Sequence, residues 1–285
     1  MPEAIPAGSG RQSLPLAGLG VVVTRPAAQA GPMTERLEAL GARVIRVPLL
    51  AVEAPADPAA ALAVLGEADR FDLAIFVSTN AVERGLAMLR AAGGLPPGLR
   101  LAAIGRATAE ALRALARPPD LVPAGRFDSE ALLALEELQP ARVAGRRVLI
   151  VRGEGGRETL AEALRTRGAQ VEYAEVYRRV RPPVDGEGLA ALGEARQIDA
   201  IVLTSGEALD HLFETFPRPP HGWLDGVALV VPSARVGEAA RRHGHPRAPV
   251  VAREAGDEAL IGALAEWWAG QAATAATAGA RAKPG

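Results

Sequence analysis

The chain has 285 residues, 49% of them hydrophobic and only 4% aromatic, which suits one large or two modest domains with aliphatic cores. Lys and Arg number 32 against 33 Asp and Glu, and a net charge of -1 argues against a nucleic-acid binder held by counterion release. There is no Cys, which excludes disulfides, a thiolate nucleophile and a thiolate zinc site, and no apolar run near the start reads as a signal peptide or membrane span, so a soluble cytoplasmic protein is expected.

Residues 1–17 read as a flexible leader. Leu19 to Thr24 is an apolar run ending at Arg25-Pro26; Met33, Leu37 and Leu40 follow at helical spacing up to Gly41, and Val44 to Val47 is the next strand. Phe71 to Val77 is a strand, after which Ser78-Thr79-Asn80 offers an N-cap to a helix carrying Val82, Leu86 and Leu89. Leu99 to Ile104, Gly105 and a helix through Ala109, Leu112 and Leu115 repeat the theme. Asp120 to Pro123 is a brief strand, and Asp128-Ser129 opens a helix with Leu132, Leu133 and Leu135. Arg147 to Val151 is a strand, Arg152 to Gly156 a turn, and the helix after it ends at Gly168. Val171 to Pro183 is extended in character and holds both tyrosines of the chain, Tyr173 and Tyr177. Strands at Ala200–Leu203, Val227–Val231 and Val250-Val251 then alternate with helices opened by Thr204-Ser205-Gly206, Ser233 and Asp257, the last ending at Trp268. The composition after Gly270 predicts a disordered tail over 271–285.

The chain repeats itself. A shift of 127 pairs Arg25 with Arg152, Gly41 with Gly168, Val44 with Val171, Asp72 with Asp199 and Ser78 with Ser205. After a one-residue slip, Gly98 pairs with Gly226, Glu110 with Glu238, and Glu130-Ala131-Leu132 with Glu258-Ala259-Leu260. So long a period predicts two similar domains rather than a solenoid. Where the later copy has Tyr177, the earlier has Leu50.

Strands alternating with helices imply parallel sheets covered on both faces, and ligands of such sheets sit at the carboxyl ends of the strands. The polar residues fall there: Thr24 and Arg25; Ser78, Thr79 and Asn80; Gly105 and Thr108; Arg152, Gly153 and Glu154; Thr204, Ser205 and Gly206; Ser233 and Arg235. Taken singly, each Ser or Thr is first a helix cap. Several helix starts facing one cleft would bind carboxylate or phosphate. The Gly153–Gly156 turn is no dinucleotide fingerprint, because Glu158 stands where the third Gly belongs, and no Gly-Lys-Ser/Thr follows it for a P-loop. His211, His221, His243 and His245 are scattered and lack a matching carboxylate cluster, so no metal site is expected. Tyr177 reads either as an aromatic packed between domains or as a weak general acid beside Arg178 and Arg179. Its replacement by Leu50 in the other copy favours the acid.

Together the segments LGVVVTRPAAQA, FDLAIFVSTNAV, LAAIGRATAEAL, FDSEALL, RVLIVRGEGGRETLAEALRTRGAQV, EVYRR, IDAIVLTSGEAL, VVPSARVGEAA and AGDEALIGAL resemble the uroporphyrinogen-III synthase family over residues 19–268. The resemblance implies an α/β fold of two flavodoxin-like domains joined by a two-stranded β linker. The chain would begin in a domain of residues 18–50 and 181–270, cross to build 54–175, and return, with crossings at 48–55 and 174–182 that set Tyr177 at the mouth of a cleft. It also implies the reaction: hydroxymethylbilane, a linear polycarboxylate tetrapyrrole, closes to uroporphyrinogen III with loss of water and inversion of ring D through a spiro intermediate. No cofactor or metal takes part. Tyr177 would be the catalytic residue and the strand-end residues named above would hold carboxylates. A monomer in transient contact with hydroxymethylbilane synthase is expected, with no nucleic-acid or membrane partner. Two alternatives stay open: a non-catalytic binder of a tetrapyrrole or small anion on the same scaffold, and a two-domain nucleotide-sugar glycosyltransferase.

Overall fold

The structure is a computed structural model that describes residues 14–125, 128–216, 222–254 and 256–281. In chain order its elements are β1 (Gly20–Val23), α1 (Gly31–Ala39), β2 (Arg43–Arg46), β3 (Ala51–Glu53), α2 (Pro58–Gly66), β4 (Leu73–Phe76), α3 (Thr79–Ala91), β5 (Arg100–Ala103) and α4 (Arg106–Leu115). There follow α5 (Ser129–Leu133), α6 (Pro140–Val143), β6 (Arg147–Gly153), α7 (Thr159–Thr166), β7 (Gln170–Val180), α8 (Gly186–Glu194), β8 (Ala200–Val202), α9 (Gly206–Thr215), β9 (Ala228–Val231), α10 (Ala234–Arg242), β10 (Val250–Val251) and α11 (Asp257–Arg281). The chain divides into two compact units, one of the described residues up to Ala51 with those from Arg181 onward, the other of Val52–Val180.

The first unit is built on a sheet of order β10-β9-β8-β1-β2, every neighbouring pair parallel. Successive residues of each strand serve opposite cores. Val21, Val23, Val202 and Val230 pack with Met33 and Leu37 of α1 and Leu260 and Leu264 of α11. Val22, Ile201 and Leu229 pack with Leu189 of α8, Leu209 and Leu212 of α9 and Val236 of α10. A sheet buried on both faces needs apolar residues at consecutive positions, which is why its strands read as unbroken apolar runs.

The second unit has the order β3-β7-β6-β4-β5, with β7, β6, β4 and β5 parallel. Phe76, Leu149 and Val151 face Leu86 of α3 and Leu112 of α4, while Ile75, Val148 and Ile150 face Leu132 of α5 and Leu160 and Leu164 of α7.

The sequence repeat maps one sheet onto the other. A shift of 127 carries β1 onto β6, β2 onto β7 and β4 onto β8, and a shift of 128 carries β5 onto β9. Thus β2-β1-β8-β9 matches β7-β6-β4-β5 in the same spatial order, and each unit draws strands from both copies. The place of β10 is held in the second unit by a single parallel bridge from Ala102 to Leu121. That bridge is all that forms of the brief strand expected at 120–123, since Pro123 has no N–H to extend it.

Three features differ from what the sequence suggests. Residues 14–17 of the leader form a turn, with the Leu16 side chain fully buried and its N–H donating to Leu40 O at 2.9 Å; residues 1–13 lie outside the described ones. Two helices unmarked in the sequence reading, α2 and α8, are capped by Asp57 and Asp185, which accept from Ala60 N–H at 2.9 Å and Gly188 N–H at 2.8 Å. The stretch expected to be a disordered tail continues α11 from Trp268 to Arg281, in keeping with its Ala content; residues 282–285 lie outside the description. Among the described residues no helix is long and apolar enough to cross a membrane.

Candidate active site

At the carboxyl edge of the second unit's sheet, β6 and β7 pair in register from Arg147 with Gln170 to Arg152 with Glu175. The next pair is Gly153 with Tyr177, so β7 has one residue more than β6 at this point. Tyr177 is 3% exposed, its ring packed in the core with Val151 and Val176. Its hydroxyl lies 3.1 Å from Ser78 Oγ, which also accepts the Ala81 N–H at 3.1 Å and so caps α3. Thr79 and Asn80 form the first turn of that helix, half-buried. Beside it α4 starts at Gly105, where no side chain caps the N–H groups, and Thr108 is buried one turn in. Both helix starts set the positive end of a helix dipole at the sheet edge, which favours anions there. The Arg179 guanidinium stands 6.0 Å from the Tyr177 ring centroid, and Arg178 pairs with Glu53 at 2.9 Å.

Arg152 lies elsewhere. Its side chain is 7% exposed and inward-facing: it donates to Glu158 Oε1 at 2.9 Å and Gly156 O at 3.1 Å, and stacks over the Tyr173 ring at 4.2 Å. Its Nε approaches Glu175 Oε1 at 3.2 Å, an ion-pair distance without hydrogen-bond alignment. Tyr173 donates a hydrogen bond to Glu158. That bond and the one from Arg152 hold the Glu158 carboxyl below the ordinary range. Burial, then the Glu158 carboxylate, push the Tyr173 phenol up. These groups line a cavity of ≈ 460 Å³ with Asp57 and Glu154, and the Glu154 carboxylate accepts the Ala56 N–H. Arg152 and Glu154 therefore direct their side chains away from Tyr177 and Ser78. Nothing in the sequence marks Glu158 and Glu175 as partners of Arg152, although Glu158 lies four residues after Glu154 and Glu175 two before Tyr177.

In the first unit the cap of Ser78 is repeated at its counterpart Ser205, while the other strand-end residues are placed differently. Thr24 is buried and donates to Val202 O at 2.9 Å, tying β1 to β8. Ser205 caps α9 by accepting Ala208 N–H at 3.1 Å, and Ser233 caps α10 by accepting Val236 N–H at 3.4 Å. Thr204 and Gly206 flank the first cap, half-buried, and Arg235 is exposed beside the second. Arg25 pairs with Asp257 at the start of α11. His211 Nδ1 lies 2.6 Å from Leu49 O, and His243 pairs with Asp210 at 2.9 Å and stacks on Phe213. His245 is buried near the same ring, and His221 lies outside the described residues. Among the described residues no three His, Cys, Asp or Glu groups gather as a metal site would need.

Comparison with known proteins agrees with this architecture. The family profile described as uroporphyrinogen-III synthase HemD matches residues 31–262. The uroporphyrinogen-III synthase of Salmonella typhimurium is 36% identical over 248 residues, spanning 86% of this chain and 100% of its own. That of Escherichia coli is 36% identical over 252 residues, with the same coverage of both chains. A crystal structure of a mutant uroporphyrinogen III synthase from Thermus thermophilus is 20% identical, covers 87% of this chain and 99% of its own, and shares the fold with a TM-score of 0.58. With a family profile across most of its length and relatives above 30% identity matched from end to end, the chain belongs to the uroporphyrinogen-III synthase family.

Proposed function

We propose that the chain cyclises hydroxymethylbilane to uroporphyrinogen III, with loss of water and inversion of ring D, and that Tyr177 is its acid. The observation that carries the assignment of the acid is the contact of the Tyr177 hydroxyl with Ser78 Oγ at the start of α3. Ser78 Oγ takes the Ala81 N–H on one lone pair and has its own proton to give to Tyr177 Oη. The phenol proton is then directed outward, toward the hydroxyl that leaves as water. Phenolate charge is met by the Ser78 proton, the α3 dipole and Arg179.

Departure of the hydroxyl leaves an azafulvene conjugated with an electron-rich pyrrole. The substituted carbon of ring D attacks it to give a spiro intermediate, which fragments and recloses with that ring reversed. A pyrrole ring carbon loses a proton as aromaticity returns, which balances the one given to water. Because the leaving step is easy for so electron-rich a ring, positioning matters more than acid strength. The helix starts at Ser78–Asn80, Gly105 and Thr108, and in the first unit Thr24, Arg25, Thr204–Gly206, Ser233 and Arg235, supply N–H groups and cations for the substrate carboxylates. This explains how a chain of net charge -1 takes a polyanion. The same reading has a cytoplasmic monomer that uses no cofactor, with its domain limits at 18–50 with 181–270 and at 54–175.

The test is to generate hydroxymethylbilane in situ, add the protein, oxidise the products and separate the isomers. Predominantly type III is expected. Type I alone, at the rate without protein, would refute the reading, because unassisted closure leaves ring D uninverted.

A further inference from the structure

Alternation along β7 sets an expectation for Tyr177 that the structure breaks. Tyr173 lies on the face of Ile150 and Val148, and Glu175 reaches Arg152 on that side. Ala174 and Val176 lie on the other face, in the core under α3 and α4. A strand with period two would send Tyr177 after Tyr173 and Glu175. It joins Ala174 and Val176 instead, with its hydroxyl at Ser78. The partner strand keeps strict alternation: Leu149 and Val151 serve the α3 side, Val148 and Ile150 the other, and Gly153 meets the Tyr177 ring. The extra residue therefore sits in β7, between Glu175 and Tyr177, and one extra residue turns every later side chain to the opposite face.

We infer that this bulge is the device that aims Tyr177, and that Gly153 and Arg152 are positioning residues which hold it. Its catalytic meaning rests on the function proposed above. Gly153 is needed for close approach: a Cβ there would lie 2.6 Å from both Cε2 and Cζ of the Tyr177 ring, about 1 Å inside ordinary contact. Arg152 pairs with Glu175, the last residue in register, and the ladder resumes where Glu154 N–H donates to Tyr177 O at 2.9 Å. The bulge is thus clamped on both sides. Arg152 acts from the face opposite Ser78, so it reaches the reaction only through the strand.

The experiment joins a spectrum to kinetics. With tyrosine labelled at Cζ by carbon-13 the chain gives two signals, assigned with a Tyr173→Phe variant, and they are read without substrate. In Gly153→Ala the Tyr177 signal moves, kcat falls about tenfold with KM within about twofold, and adding Tyr177→Phe lowers kcat by no more than about twofold further. A Tyr177 signal that stays in place, or a loss confined to KM that multiplies with Tyr177→Phe, would overturn the inference. If Gly153→Ala does not fold, Glu175→Gln loosens the clamp without adding an atom to the strand contact. It moves the same signal and lowers kcat roughly threefold; no change in either overturns the inference equally. The two readings fail separately: a wild-type chain yielding only type I refutes the function whatever the spectrum shows, whereas type III product with an unmoved signal in Gly153→Ala refutes the positioning alone.

Discussion

Replacing Arg152 with Met removes a buried cation while keeping most of the stem that covers Tyr173. The guanidinium gives a charged hydrogen bond to Gly156 O, a stacking contact with Tyr173 and an ion-pair contact with Glu175, whose side chain is 39% exposed. A hydrogen bond from a charged donor is worth roughly 1.5 kcal/mol, a partly desolvated cation over an aromatic ring about 1 kcal/mol, and a half-exposed ion pair roughly 0.5 kcal/mol. The pair with the more exposed Glu158 is left out, and relief of the desolvation of Arg152 offsets part of the loss. The expected net destabilisation is about 2 kcal/mol, which moves a urea midpoint down by about 1 M at a slope of roughly 2 kcal/mol per molar for a unit of this size. The assay is equilibrium urea unfolding by circular dichroism, alongside KM for hydroxymethylbilane. An unmoved midpoint with a raised KM would show that Arg152 faces substrate instead, and the account of an inward-turned arginine would be wrong.

Tyr177→Phe is expected to lower kcat about tenfold, less than the roughly hundredfold or more usual for loss of a general acid because positioning carries most of the catalysis, and to leave product binding within about twofold; unchanged turnover reduces Tyr177 to packing. Asp72 is held below its ordinary range, first by the Arg147 N–H at 2.8 Å and then, against some burial, by Arg146. A carboxyl with a lowered folded-state value adds stability above its unfolded pKa, about 3.9, and loses it as pH falls through the lower folded value. Wild type therefore leads Asp72→Asn at pH 6 by at most about 1 kcal/mol, given a side chain 39% exposed to screening water, and the lead shrinks below about pH 4; a lead independent of pH counts against it. Expressed alone, residues 52–180 should unfold cooperatively while residues 19–145 should not, and the reverse outcome in thermal melts favours tandem domains.

The sheets were legible in the sequence because burial on both faces writes an unbroken apolar run, as at Leu73–Phe76 and Val148–Val151. The 127-residue offset was legible too, yet which strands would share a sheet was not, because repetition marks equivalence and not adjacency. Helix α2 reads PAAALAVLG, apolar on every side, so it carries no helical period, and α8 is broken up by glycine. Their start signals are the aspartate caps and, for α2, Pro58 at its first position. The helix starts at Ser78, Ser205 and Ser233 could be read from strand-then-cap order. The approach of Tyr177 to Ser78 could not: EVYRRV carries no mark of a bulge, because a bulge belongs to the register between two strands. The burial of Arg152 was hidden likewise, since its partners Glu158 and Glu175 come from different elements.

The central pairing of the first unit's sheet has a consequence for synthesis on the ribosome. Gly20 at the head of β1 is tied to Asp199, 179 residues later, and β1 pairs with β8 along its length. At roughly 5–20 residues per second, β1 waits on the order of ten seconds or more for its neighbour to be made. Residues 52–180 are complete before that neighbour exists and can collapse first, which brings the two ends of the interruption together and shortens the loop that β1 and β8 must close. During that interval α1, β1 and β2 carry an open edge of valines. The stage most exposed to aggregation is thus the wait of an early strand for a late partner, and destabilising the inserted unit would impair the assembly of a sheet to which it contributes no strand.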